Sequence, residues 1–436
     1  MQRVEKSMMT LGLLAGMALF CTSLDAALFR GGKTASDKKD ASSEVAKTAE
    51  VWGVWRGPDK NGITDEKDWS PDAVNSPKNK WSVQVNDGYS AVAVTNEYVY
   101  TMGNDGENDI VFCLKVETGD IVWRHQYKCG TDKSYPGPRM TPVLDGDNVY
   151  TVSREGHVYC LNAKTGKEVW TVNIAKEHGA RQPKWQHSGC PIIVDNFLLL
   201  NANVSGICLD KLTGKKIWAS AGGIGGYATP EHYKYDGKYC AVLFAEKKAF
   251  SVDVATGAVI WEFVWETKYD VNAASPIVVI NGKDVDVFLS SGYGRGCCLI
   301  SAKNNRTVEK VWENKAISSH FSSPVLIDGY IYGCDGDSGN RRAKLKCIEM
   351  KTGNEVWGEQ LGFGSLMVAD GKVIYLSETG EMTIAEATHT GFKQIAKGAV
   401  LDRKGGVCWN MPILWKGVIY CRNVSGNLVA VEAGKK

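Results

Sequence analysis

The chain carries almost no excess charge of either sign. Its 436 residues include 51 Lys and Arg against 49 Asp and Glu, a formal net charge of +2. Proteins that bind nucleic acids or anionic membranes have a marked basic excess, so we expect no nucleic-acid partner. After residue 24 the sequence has no further long apolar run. We therefore expect no transmembrane domain beyond the N-terminal segment.

Several catalytic and cofactor-binding motifs are missing as well. The sequence contains no Cys-x-x-Cys-His for covalent haem, no His-Glu-x-x-His zinc motif and no Gly-x-Ser-x-Gly nucleophile elbow. These absences remove the usual signatures of haem-linked electron transfer, zinc hydrolysis and serine hydrolysis. We expect no catalytic residues and no metal site.

The N-terminus has the features of a secretory signal. Arg3 and Lys6 precede an uncharged, largely apolar run over residues 7–24, and Ala26 and Ala27 supply the small residues of a cleavage site. We predict a signal peptide over residues 1–26 and a flexible tether over residues 27–50, where large apolar side chains are scarce. The protein would be periplasmic or secreted. An uncleaved segment acting as a membrane tether is the alternative.

A repeated turn dominates the rest of the sequence. A Thr-Gly pair is followed, four residues after its Gly, by a Trp at Trp123, Trp170, Trp218, Trp261 and Trp357. A degenerate copy ends in Trp312, with Asn304 and Asn305 at the turn, and Asn tolerates the left-handed backbone of such turns. Successive Trp residues lie 43 to 51 positions apart. Short strands repeated at this period are typical of propeller blades.

Proline opens an apolar run in most units. The positions in step with the Trp repeat are Pro142, Pro191, Pro230, Pro276, Pro324 and Pro412. Because proline is tolerated at the first residue of a strand, each run is predicted to be an inner strand. Two eroded copies, beginning at residue 90 and spanning residues 365–395, bring the count to eight. The predicted fold is all-β, an eight-bladed β-propeller of four-stranded antiparallel blades.

The eighth unit, from Pro412, shows three strands and no Trp strand. A Trp-containing strand of the kind that the eighth unit lacks surrounds Trp81, before the first unit. An open ring would leave unpaired sheet edges. We therefore predict that the N-terminal strand around Trp81 closes the last blade, with residues 81–436 as the propeller and residues 51–80 as a lead-in segment.

The strand, Thr-Gly turn and Trp over residues 160–170 resemble the pyrroloquinoline-quinone (PQQ) repeat, and the resemblance covers residues 81–436. Residues 52–58 resemble the leader of exported bacterial PQQ-binding-like β-propeller proteins. That family includes quinoprotein alcohol dehydrogenases, which hold PQQ and calcium above the central channel. It also includes non-catalytic propellers such as the B-subunit of the outer-membrane β-barrel assembly machine. The resemblance implies the fold and leaves both kinds of function open.

Within this family, we expect an exported, non-catalytic propeller that acts as a binding or scaffold protein in the bacterial cell envelope. It would be a monomer without a cofactor, and would hold an envelope protein or a small-molecule ligand at the channel mouth. The chain lacks the long inserts that cover the quinone in the larger enzymes. A PQQ-dependent dehydrogenase, holding PQQ with calcium and oxidising an alcohol or sugar, is the alternative. A lectin-like propeller for sugars or peptides is the third hypothesis.

The adjacent Cys297 and Cys298 invite comparison with the vicinal disulfide found against the quinone in the alcohol dehydrogenases. The repeat register favours a different interpretation. Cys298 lies six residues before the turn position, as do Cys113, Cys160, Cys208 and Cys347. Residues at one repeat position lie in separate blades, so these five are expected to be buried thiols. A Cys297–Cys298 disulfide remains the other outcome.

Loops that precede the inner strands should ring one end of the channel, and loops on a rigid scaffold commonly carry binding residues. The predicted ligand-binding residues are Arg139, Trp185, His187, Tyr227, Asn272, His320, Trp409 and Asn410. Arg pairs with carboxylates and Trp offers a stacking face, so we expect an anionic or aromatic ligand. His187 and His320 have no carboxylate near them in sequence as a further ligand for zinc or calcium.

Overall fold

Eight sheets radiate from a central channel in residues 51–435, the part of the chain that the computed structural model describes. These residues belong to one unit of the chain, Thr48–Lys436. Six of the sheets contain four antiparallel strands that are consecutive in the chain. Blade 7 has a fifth strand from the N-terminal part of the described chain, and blade 8 takes its outer strand from there. The predicted eight-bladed propeller is confirmed. The signal peptide and tether predicted over residues 1–26 and 27–50 lie outside the described residues.

The lead-in segment contains β1 (Ile63–Thr64) and a 3₁₀ helix (Pro71–Asn75), and β2 (Asn79–Gln84) runs from its end into the propeller. Blade 1 consists of β3 (Ala93–Val94), β4 (Tyr98–Asn104), β5 (Asn108–Lys115) and β6 (Ile121–Lys128), and blade 2 of β7 (Val143–Asp145), β8 (Asn148–Val152), β9 (His157–Asn162) and β10 (Glu168–Asn173). Blade 3 consists of β11 (Ile192–Val194), β12 (Phe197–Leu200), β13 (Ile207–Asp210) and β14 (Lys216–Ala219), and blade 4 of β15 (Glu231–Tyr235), β16 (Lys238–Phe244), β17 (Lys248–Asp253) and β18 (Val259–Val264).

Blade 5 consists of β19 (Ile277–Asn281), β20 (Asp284–Ser291), β21 (Gly296–Lys303) and β22 (Thr307–Asn314), and blade 6 of β23 (Val325–Ile327), β24 (Tyr330–Asp335), β25 (Lys344–Glu349) and β26 (Glu355–Gln360). Blade 7 consists of β27 (Gly364–Ala369), β28 (Lys372–Ser377), β29 (Glu381–Glu386) and β30 (Gln394–Ala399), and blade 8 contains β31 (Ile413–Trp415), β32 (Val418–Arg422) and β33 (Asn427–Glu432). Short helical turns occur at α1 (Ile174–His178), Lys268–Asp270 and Arg403–Gly405. No helix within residues 51–435 has the length and apolar character needed to span a bilayer.

The ring closes through the N-terminal strand. β2 pairs antiparallel with β33, so that Trp81 lies opposite Ala430 and Ser82 opposite Val429. Blade 8 therefore takes its outer strand from the beginning of the propeller and its other three strands from the end. The predicted closure around Trp81 is confirmed, and it leaves blade 8 with a complete ladder of backbone hydrogen bonds.

The repeated Trp side chains dock each blade onto the next. An indole N–H donates at 2.8–2.9 Å to the carbonyl three residues before the next turn Gly, in the pairs Trp81 to Val116, Trp123 to Ala163, Trp170 to Lys211, Trp218 to Val254 and Trp312 to Met350. The turn Gly lies under the indole, since a Cβ on Gly166 would come within 2.6 Å of the Trp123 ring. At the degenerate turn, Asn304 and Asn305 adopt φ of 49° and 51°, as the sequence predicts.

The lead-in segment crosses the channel, a feature that the sequence did not predict. Trp52 pairs with Val94 at the inner edge of blade 1, and the N–H of Leu144 in blade 2 donates to Gly53 O at 2.7 Å. On the far side, Arg56 Nη2 donates to the carbonyl of Pro324, beside blade 6, at 2.6 Å. β1 then runs parallel to β27 as a fifth strand of blade 7. Because blades 2 and 6 face each other in a ring of eight, residues 52–64 form a channel plug.

Candidate functional site

A cavity of about 360 Å³ opens at the end of the channel where the loops before the inner strands converge. Its volume falls within the range of about 300–1,000 Å³ of small-molecule sites. Six of the predicted site residues line it: Arg139, Trp185, Tyr227, His320, Trp409 and Asn410. Trp55 of the channel plug also lines the cavity. We call this cavity, whose lining includes the six residues and Trp55, the aromatic cup.

Aromatic rings form several walls of the cup. Trp409 stacks on Tyr89 with ring centroids 4.9 Å apart and an interplanar angle of 16°. Phe321 packs on Trp409 with centroids 4.9 Å apart, and Tyr135 meets Trp185 edge to face at 5.2 Å. Tyr89, Trp185 and Trp409 are half-buried. The cup therefore offers flat apolar surfaces whose orientation is fixed by ring-to-ring packing.

Blade 7 holds Trp409 in place. The indole N–H of Trp409 donates to Glu378 Oε2 at 3.2 Å, and the Ser365 hydroxyl donates to Trp409 O at 2.9 Å. Glu378 is buried, and its Oε2 also accepts a hydrogen bond from the N–H of Gly339 at 2.9 Å. A buried carboxylate with two donors keeps one geometry. The stacking face of Trp409 is therefore pre-organised.

Arg139 supplies the positive charge of the lining. Its guanidinium donates to the carbonyls of Gly137 at 3.2 Å and Tyr135 at 3.1 Å, and its Cζ lies 5.7 Å from the centroid of the Tyr89 ring. Burial lowers the pKa of Arg139 to about 10, which leaves the side chain charged at neutral pH. These bonds fix the guanidinium beside the aromatic wall.

Asp337 and His320 form a polar edge of the cup. The Nδ1 atom of His320 lies 4.0 Å from Asp337 Oδ1, which also accepts a hydrogen bond from the N–H of Tyr293 at 2.7 Å. Burial lowers the pKa of His320 to about 4, so the imidazole is neutral at pH 7. The charges of Arg139 and Asp337 cancel, and the lining has no net formal charge. The sequence-based expectation of an anionic ligand rested on Arg139, and Asp337 weakens it because its negative charge balances the positive charge of Arg139.

Asn410 lines the cup and has a buried, unsatisfied side-chain acceptor. Its side chain is 6% exposed, and its Nδ2 donates to Ser90 O at 3.5 Å. Its Oδ1 has no hydrogen-bond partner among the described residues. A buried acceptor without a partner costs about 1–3 kcal/mol.

His187 and Asn272, the two other predicted site residues, do not line the cup. The amide of Asn272 is fully buried between loops, where Nδ2 donates to Ala245 O at 2.9 Å and Oδ1 accepts from the Ser291 hydroxyl at 2.7 Å. The ring of His187 packs near Gly156 of blade 2, and burial lowers its pKa to about 4. Both side chains brace the loops that carry the cup.

Several lining residues were not predicted: Trp55, Tyr89, Tyr135, Tyr293 and Phe321. Tyr135 and Phe321 share loops with Arg139 and His320, so taking each loop as a whole would have included them. Tyr89 precedes the eroded first blade, which has no Pro marker. Trp55 arrives through the channel plug.

Cys297 and Cys298 are both free, buried thiols. They are consecutive residues of the regular strand β21, and consecutive side chains in a strand point to opposite faces of the sheet. Cys297 accordingly packs in a cluster with Ile317, and Cys298 in a different cluster with Trp261. Burial raises the pKa of Cys297 to about 11. The strand geometry separates the two sulfur atoms.

The lining does not fit PQQ with calcium. PQQ is a planar tricarboxylate, whereas the lining offers one cation, Arg139, and one carboxylate, Asp337. No cluster of three or more His, Cys, Asp or Glu side chains suited to a metal ion occurs within residues 51–435. Calcium needs six to eight oxygen ligands, usually including carboxylates. The aromatic walls suit a flat ring, but the charged groups do not match this cofactor.

Comparisons with known proteins place the chain among related propellers. A family model described as outer membrane protein assembly factor BamB matches residues 107–359. Outer membrane protein assembly factor BamB of Salmonella typhimurium is 22% identical over 353 residues, covering 76% of this chain and 84% of that protein. Solved structures also share the fold at low identity, among them the two described next.

The crystal structure of BamB from Moraxella catarrhalis aligns with a TM-score of 0.58 and 15% identity, over 82% of this chain and 97% of that one. Quinohemoprotein alcohol dehydrogenase from Comamonas testosteroni aligns with a TM-score of 0.65 and 11% identity, over 89% and 81%. These likenesses bear on the fold alone. The family match covers more than half of the chain, which therefore belongs to the PQQ-like repeat family of β-propellers whose model is described as outer membrane protein assembly factor BamB.

Proposed function

We propose that this protein is an exported, non-catalytic β-propeller that acts as a binding or scaffold protein in the bacterial cell envelope, with its ligand or partner at the aromatic cup. The observation that carries the proposal is the pre-organised cup, in which Trp409 is fixed by Glu378 and Ser365. The relatives named as outer membrane protein assembly factors support an envelope location. In this account residues 1–26 are a signal peptide, residues 27–50 a tether, and the protein is a monomer.

A PQQ-dependent dehydrogenase has weaker support. The alignment with quinohemoprotein alcohol dehydrogenase is at 11% identity and speaks to the fold alone. The cup balances Arg139 against Asp337, whereas a tricarboxylate needs an excess of cations. The adjacent thiols of Cys297 and Cys298 lie on opposite faces of β21, and each is buried in a different hydrophobic cluster. We therefore propose a protein without a resident cofactor.

Site-specific photo-crosslinking in bacterial cells tests this proposal. A photoreactive amino acid would replace Tyr135, which is 36% exposed at the cup, or Leu212, which is 54% exposed on the blade 3 turn, as the matched control. We expect the exported chain in the envelope fraction, and a discrete adduct from position 135 that is absent from position 212. A cytosolic chain, or reduction of a dye that depends on added PQQ and an alcohol, would overturn the proposal.

A further inference from the structure

We infer that the aromatic cup binds the terminal unit of a neutral saccharide. The inference rests on the proposed function in one respect, because it assumes that the cup binds its occupant rather than transforming it. It adds the chemical class of that occupant. Three properties of the cup carry it: flat aromatic faces, hydrogen-bonding groups of both kinds, and a channel that is closed below.

The aromatic faces match the shape of a pyranose ring. A pyranose has two flat faces of C–H bonds and a rim of hydroxyl groups, so it packs on an indole or phenol ring while its hydroxyls point sideways. The Trp409 and Tyr89 rings stack on each other, at 16° with centroids 4.9 Å apart, and because both residues line the cup the stacked pair forms one wall. The Trp185 ring stands edge to face with Tyr135 as a second wall. A sugar ring can therefore lie against one wall and reach the other.

The polar groups match the rim of hydroxyls. The Asp337 side chain is 38% exposed, so its carboxylate can accept hydrogen bonds from hydroxyl groups. Arg139 is a fixed donor beside the Tyr89 ring. A hydroxyl group donates one hydrogen bond and accepts others. Such a ligand can donate to Asp337 and accept from Arg139, so neither charged group is left unpaired.

The balance of charge selects a neutral ligand. The lining contains one cation and one carboxylate, and burial lowers the pKa of His320 to about 4, so His320 adds no charge at pH 7. A polyanion would leave negative charge in a partly buried site without a matching cation, which is unfavourable. A neutral saccharide keeps the existing balance.

The channel plug selects the end of a chain rather than its middle. Trp55 lines the cup, and its indole N–H donates to the Ser275 hydroxyl at 3.2 Å. Residues 52–64 then cross from blade 2 to blade 6 and block passage through the propeller. A polymer cannot thread through the channel. The cup therefore receives a terminal sugar unit, from a free oligosaccharide or from a glycan on a larger molecule.

Titration of the purified, exported chain with three neutral trisaccharides, maltotriose, cellotriose and triacetylchitotriose, tests this inference. Tryptophan fluorescence reports binding, because Trp55, Trp185 and Trp409 all line the cup. We expect at least one saccharide to bind saturably with one site per chain. Trp409→Ala and Asp337→Ala should each weaken binding at least tenfold, whereas Trp409→Phe should retain most of the affinity because it keeps an aromatic face.

Tyr330→Ala is the matched control, since Tyr330 stacks on His389 at 4.3 Å outside the cup lining and its loss should leave the affinity unchanged. Circular dichroism of each variant establishes that it is folded. Failure of all three saccharides to bind a folded chain would overturn the inference, as would saturable binding of a Gly-Tyr-Gly peptide alone. Either result leaves the proposed function standing if the position 135 adduct forms. Oxidation of a saccharide in the presence of PQQ would instead overturn the proposed function.

Discussion

Replacing Trp81 by Ala should weaken the ring at its closure. The Trp81 side chain is 7% exposed, and its indole N–H donates to Val116 O at 2.8 Å. The indole lies over the turn at Gly119, where an added Cβ would come within 2.8 Å of the ring. Trp81 thus docks the outer strand of blade 8 onto blade 1. Truncating a buried Trp to Ala costs about 3–5 kcal/mol, so we expect the free energy of unfolding to fall by that amount.

Urea unfolding followed by far-ultraviolet circular dichroism measures this loss without relying on the tryptophan signal. Trp123→Ala is the matched comparison, because Trp123 makes the equivalent bond to Ala163 O at 2.9 Å between blades 1 and 2. Those blades stay joined by the chain, so the comparison isolates docking from closure. A loss below about 1 kcal/mol for Trp81→Ala, beside a full loss for Trp123→Ala, would refute closure by this strand.

Three further outcomes are expected. Arg422 is 1% exposed and donates from blade 8 to Met102 O in blade 1 at 2.6 Å, so Arg422→Met should lower the free energy of unfolding by at least about 3 kcal/mol in urea titrations. Burial lowers the pKa of His187 from 6.5 to about 4, so the folded state binds this proton less tightly than the unfolded state, and the free energy of unfolding falls as pH drops between those values. Between about pH 7 and about pH 4.5, the free energy of unfolding of His187→Leu should therefore fall by about 2–3 kcal/mol less than that of the natural chain. An equal fall in both proteins would contradict this. Iodoacetamide added after denaturation without reductant should label both Cys297 and Cys298, and a peptide from Gly296 to Lys303 with neither labelled would indicate a disulfide.

The sequence revealed the parts of the fold that repeat. Most Trp residues of the repeat pack against the Gly turn of the next blade, so their spacing together with two eroded copies counted the blades, and the unpaired Trp81 strand identified the closure. The channel plug could not be predicted from the sequence, for a physical reason. Two of its bonds, from Arg56 to Pro324 O and from the Leu144 N–H to Gly53 O, use backbone carbonyls, which any sequence presents. No periodicity marks such partners.

The site was predicted in part for a related reason. Loop position is set by the repeat, and it correctly brought Arg139, Trp185 and Trp409 to one cavity. Side-chain direction depends on the local backbone, which the repeat does not determine. Gln186 adopts a positive φ of 67° between Trp185, which lines the cup, and His187, which is turned away from it. Within one loop, neighbouring residues therefore serve the cup and the scaffold.

Calorimetric titration of PQQ, with calcium present, into the purified exported chain tests most directly the claim that the propeller binds without a resident cofactor. The lining offers a single cation in Arg139 and a single carboxylate in Asp337. We therefore predict no saturable heat from a sample whose circular dichroism shows it to be folded. Tight binding of one PQQ per chain would contradict the account and would make alcohol-dependent dye reduction the activity to pursue.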